Sequence, residues 1–122
     1  MKNIYNLFIK GRRLAKKGRP LEAIMLFEEA KKHQPQKGSI REELARAYYN
    51  CSLYCSAKKE FGKALDIDAA NDYAHYGLGL CLLKEGKFSN ALGHFKIALA
   101  MKPNSKVYKE SLSKYKMILK EK

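Results

Sequence analysis

Three histidines, three cysteines and one Gly-x-Gly are the residues of this chain best suited to chemistry, and their spacing decides what chemistry is open to them. The Gly-x-Gly, Gly77-Leu78-Gly79, stands between His75-Tyr76 and Cys81. A dinucleotide-binding loop needs a third glycine three residues further on and a strand before the first. That place holds Leu82, and no β-branched run precedes Gly77, so the phosphate-loop reading fails on both counts. Cys51, Cys55 and Cys81 form an odd set without Cys-x-x-Cys, and Cys51 and Cys55 lack a second ligand pair at zinc-finger spacing. A reducing, cytoplasmic setting is the expectation, with Cys81 a small buried apolar residue. His33, His75 and His94 have no nucleophile fixed beside them by spacing and read as surface or packing histidines. The chain is therefore expected to be no enzyme, with no catalytic residue, metal ligand or cofactor.

The elements that must position these residues repeat. Phe27, Phe61 and Phe95 recur every 34 residues. In phase with them run Ala23/Ala57/Ala91, Ala30/Ala64/Ala98, Gly11/Ala45/Gly79 and Gly18/Ser52/Gly86. Within each unit, apolar residues fall at i, i+3, i+4 and i+7 in two stretches separated by a Gly or Ser, the signature of a helical hairpin. The segment from Ser105 onward carries Val107, Tyr108, Leu112, Tyr115 and Ile118 at helical spacing among lysines, which predicts one more amphipathic helix. Seven helices, no strand and a monomer follow.

On these columns the sequence resembles the tetratricopeptide repeat family, with repeats over 4–37, 38–71 and 72–105 and a capping helix over about 106–120, within a single domain. The resemblance implies an all-α, right-handed solenoid of three hairpins. The family's aromatic at position 17 is Tyr54 and Phe88, with Pro20 departing; its terminal proline is Pro35 and Pro103, with Ala69 departing. Pro20 is compatible with a first helical turn, where its missing N–H has no intrahelical partner anyway. Asn6 and Arg13 stand where the inner repeats have Ile40/Ala47 and Ala74/Cys81. By the family's packing, no repeat is expected before the first. The stretch MKNIYNLFIKGRR, broken by Asn6, reads as neither a signal peptide nor a membrane span.

By the same resemblance, positions 2, 5, 9, 12 and 13 of each first helix line a peptide-binding groove. They are Tyr5, Phe8, Arg12, Ala15 and Lys16; Ser39, Glu42, Arg46, Tyr49 and Asn50; and Tyr73, Tyr76, Leu80, Leu83 and Lys84. The candidate binding residues are Tyr5, Phe8, Arg12, Lys16, Arg46, Tyr49, Asn50, Tyr73, Tyr76 and Lys84, with Asn50 matching an asparagine that related grooves use to bond a ligand's main chain. The same aromatics could instead pack against one another, with the lysines only solvating the surface. Related grooves that hold acidic chaperone tails resemble a clamp of Lys, Asn and Arg; the matching residues here are Phe8, Arg12, Glu43, Tyr73 and Gly77, which do not form one. Gly77 has no packing role in the repeat pattern and reads as a point of close approach in the groove.

Net charge narrows the partner to something acidic. The chain carries +13, which favours acidic protein, nucleic acid or an anionic surface. The first repeat holds nine cations against three acids, the second five against five, the third four against two and the tail six against two, so the ends are basic and the middle is neutral. The principal reading is a protein-interaction module taking an extended or helical segment with acidic and apolar character, with no membrane contact. Beside it stand an RNA- or ribosome-associated adaptor using the basic ends, and a chaperone for a secreted or assembling subunit.

Overall fold

The structure, a computed structural model, describes residues 3–120. Among these are seven helices and no strand: α1 (Ile4–Lys16), α2 (Pro20–His33), α3 (Gly38–Asn50), α4 (Tyr54–Ile67), α5 (Asp72–Lys84), α6 (Phe88–Met101) and α7 (Lys106–Lys120). None is long and apolar enough to cross a membrane. The chain divides into two compact units, residues 1–69 with α1–α4 and residues 70–122 with α5–α7.

Each hairpin turns in the same way. After α1, Gly18 takes φ +76°, after α5 Gly86 takes φ +77°, and after α3 Ser52 is held at φ +62°. The residue that follows donates its N–H back into the helix: Arg19 to Leu14 O at 3.0 Å, Leu53 to Tyr48 O and Lys87 to Leu82 O, each at 2.9 Å. These are Schellman caps, in which a left-handed residue lets the chain reverse while the last carbonyls stay bonded. Glycine meets that φ without a Cβ penalty; Ser52 does not.

In the first unit Phe27 is fully buried and packs with Ala23, Leu44 and Ala47, against which Phe8, Leu14, Ile24 and Tyr48 close. The ring lies so near α1 that a Cβ on Gly11 would come within 2.6 Å of Phe27 Cε1, which explains a glycine in the middle of a helix. Burying such a ring contributes up to about 3 kcal/mol. The unit also holds a charged residue that the repeat columns do not announce. Glu60, 3% exposed, accepts from Arg41 Nη1 at 2.8 Å and Lys31 Nζ at 3.0 Å. Lys31 also bonds Glu28, whose carboxylate accepts the Tyr48 hydroxyl at 2.8 Å. A buried carboxylate is tolerated when it is paired and hydrogen-bonded in this way. Burial first, and then the bond to Glu28, push the Tyr48 phenol up to about 12.

The second unit repeats the glycine–aromatic contact. A Cβ on Gly79 would stand 2.5 Å from Cε1 of the fully buried Phe95, so Gly79 serves packing, as its repeat position requires. Helix α7 closes the unit through Leu112, Tyr115 and Leu119, which pack on the Leu82–Ala91–Leu92–Phe95 core. Ser105 caps it by accepting from Tyr108 N at 3.2 Å, and the buried Tyr108 donates its hydroxyl to Asp72 at 2.6 Å. Val107, expected on the apolar stripe, is instead 56% exposed.

Candidate peptide-binding site

In the first unit, α1 and α3 supply the walls of a cleft of about 190 Å³ lined by Arg12, Ala15, Lys16, Glu43, Arg46 and Asn50. Helical spacing builds it. Arg12 and Lys16 are four apart on α1 with the small Ala15 between them, while Glu43, Arg46 and Asn50 follow i, i+3, i+7 on α3 and so share one face. Three cations face one carboxylate, leaving two net positive charges. Glu43 is already engaged, its Oε1 lying 3.9 Å from Arg12 Nε with only 13% of its side chain exposed. The Arg12 guanidinium also lies over the Phe8 ring, 5.8 Å from the centroid. Lys16 and Asn50 are exposed.

Four of the ten sequence-predicted residues, Arg12, Lys16, Arg46 and Asn50, therefore meet at one cleft. The other three of the first unit lie elsewhere. Tyr5 projects from the start of α1, 67% exposed. Phe8 packs inward, its centroid 5.9 Å from that of Phe27, and Tyr49 sits edge-on to Tyr54 at 5.2 Å beside the α3–α4 turn.

In the second unit, Tyr73 and Tyr76 are neighbours on α5 with centroids 6.3 Å apart, and Lys84 is exposed at the helix end. Tyr76 is not the open anchor its position suggests. Its ring lies 5.3 Å from Phe95 and 5.0 Å from Tyr108, and its hydroxyl is 2.8 Å from Ser111 Oγ on α7. The capping helix thus claims Tyr76 as part of its own seat. Gly77 is buried. Ala15 and Glu43 are the cleft residues absent from the candidate set; the signal for Glu43 was its place three residues before Arg46 on the same helical face.

Residues 72–105 match the tetratricopeptide repeat family. Over 95% of its length the chain superposes on the first such domain of RPAP3 (Spaghetti) bound to the HSP90 peptide SRMEEVD, with a TM-score of 0.90, 21% identity and 92% of that chain covered. The chain has the fold of a tetratricopeptide repeat domain. The tetratricopeptide repeat domain of Sgt2 from Aspergillus fumigatus is equally close in fold, at a TM-score of 0.90 and 20% identity over 99% of this chain and 82% of that one. The Yersinia enterocolitica type III secretion chaperone SycD, in complex with a peptide of the translocator YopD, follows at 0.81 and 16% over 95% and 88%. No curated protein sequence matches the repeat chain. At these identities the likeness is one of fold, and the cleft's chemistry has to be read from its own residues.

Proposed function

We propose that the protein is a non-enzymatic interaction module whose α1–α3 cleft receives an acidic segment of another protein. The observation that carries this is the convergence of Arg12, Lys16 and Arg46 with Asn50 on one small cleft, with Glu43 the single acid on its wall. Two net positive charges in a concave site favour a carboxylate and set its orientation and on-rate. Asn50, carrying both a donor and an acceptor, suits a ligand's main-chain amide. The exposed Tyr5 on the same helix adds apolar area for the acid's neighbours. The fold supports the reading, since the RPAP3 and SycD structures hold peptides of other proteins.

Calorimetry with a peptide of consecutive glutamates beside a proline–leucine stretch tests the proposal. Arg46→Glu and Lys16→Glu should each weaken binding at least tenfold at low salt, with the loss shrinking as salt rises. Unchanged affinity in both variants refutes the cleft.

A further inference from the structure

Outside the peptide cleft, in the other unit, two imidazoles face each other across the α5–α6 hairpin. His75 Nδ1 and His94 Nδ1 are 3.2 Å apart, while the ring centroids are 5.4 Å apart and the planes meet at 29°. The centroids are farther apart than the nitrogens, so each Nδ1 lies on the edge of its ring that faces the other. In that geometry one neutral ring donates its Nδ1–H and the other accepts.

We propose that His75 and His94 form a two-imidazole site for a borderline transition metal ion such as Ni²⁺ or Zn²⁺. Metal–imidazole bonds of about 2.0–2.1 Å place two ligand nitrogens about 2.9 Å apart at a right angle and about 3.4 Å apart at the tetrahedral angle. The observed 3.2 Å falls between these values, so the nitrogens already stand at ligand spacing, and each ring has to turn to bring its lone pair from its neighbour onto a shared ion. Both rings must then be Nε2–H tautomers. The proton that bridges the pair moves to the outer nitrogen of its own ring through solvent, and the site gains the charge of the ion without net proton release. The backbone is ready as well: the hairpin fixes both helices through the Phe95–Gly79 contact, so little order remains to be imposed on binding. Among the described residues no third His, Cys, Asp or Glu completes the set. The remaining positions belong to water or to an outside ligand, which makes the site open and exchangeable rather than structural.

The probe is Ni²⁺ alone, titrated into the full, reduced chain and followed by calorimetry and by NMR of the histidine ring protons. The expected result is paramagnetic broadening of His75 and His94 together, ahead of His33, and at least tenfold weaker binding in His75→Ala and in His94→Ala with His33→Ala unchanged. Should either alanine variant lose the hairpin by circular dichroism, His94→Asn keeps a polar partner for His75 without an imidazole and should show the same loss. Broadening confined to His33 or to one ring of the pair, wild-type affinity in His94→Asn, or no binding below millimolar Ni²⁺ overturns the site.

Discussion

Gly79→Ala and Gly93→Ala are the same substitution in the same unit, and the structure predicts opposite signs for them. Both glycines sit inside helices, where replacement by alanine gains up to about 1 kcal/mol from propensity. At Gly93 a Cβ meets nothing within 4 Å, so that gain should appear in full. At Gly79 the Cβ would lie 2.5 and 2.7 Å from two atoms of the Phe95 ring. That ring is fully buried and hemmed by Tyr76 at 5.3 Å and Tyr115 at 6.0 Å, so it yields only by disturbing α7. Overpacking of this kind costs about 1–3 kcal/mol, which leaves Gly79→Ala at a net loss of up to about 2 kcal/mol. The propensity term cancels between the two variants, so their difference isolates the clash. Thermal melts should separate them by several degrees, at about 4 °C per kcal/mol for a chain of this size. If Gly79→Ala is stabilised as much as Gly93→Ala, the packing of α5 on Phe95 is wrong.

Ser52→Gly should raise stability by about 1 kcal/mol, because Ser52 alone among the three hairpin turns holds a left-handed φ with a side chain; a loss in chemical denaturation would mean its hydroxyl does more than the turn shows. Tyr48, with its phenol pushed up to about 12 from 10.0, favours the fold while it is neutral. Its contribution is intact below pH 10 and is lost as pH rises from 10 through about 12. Phenolate absorbance should show a late step to which Tyr48 contributes, and Tyr48→Phe should remove one tyrosine's amplitude from it; an undiminished late step in that variant refutes the assignment.

The 34-residue columns made the fold legible because each one records a contact that recurs. A phenylalanine needs a glycine or alanine opposite it, and the glycine-or-serine column marks the left-handed turn. The cleft was legible for a related reason: Arg12 with Lys16, and Arg46 with Asn50, are pairs set on one face by the helical period. What stayed hidden depends on partners outside the repeat. Ser111 and Tyr108 lie on α7, whose register no repeat column specifies, and they engage Tyr76 and Asp72. His75 and His94 stand at unlike positions of their repeat and meet only once the hairpin closes. Glu60 lies in a stretch with Lys58, Lys59 and Lys63 that reads as a solvated face, and only the arrival of Arg41 and Lys31 shows why it can be buried.

The most direct test of the central claim is amide NMR of the intact chain during titration with the glutamate–proline–leucine peptide. Saturable shifts concentrated at Arg12, Lys16, Arg46 and Asn50, reduced in Arg46→Glu, are the result predicted for a cleft that receives an acidic segment. Shifts confined to the lysines of α7, Lys109, Lys116 and Lys120, with those four amides unmoved, would contradict it.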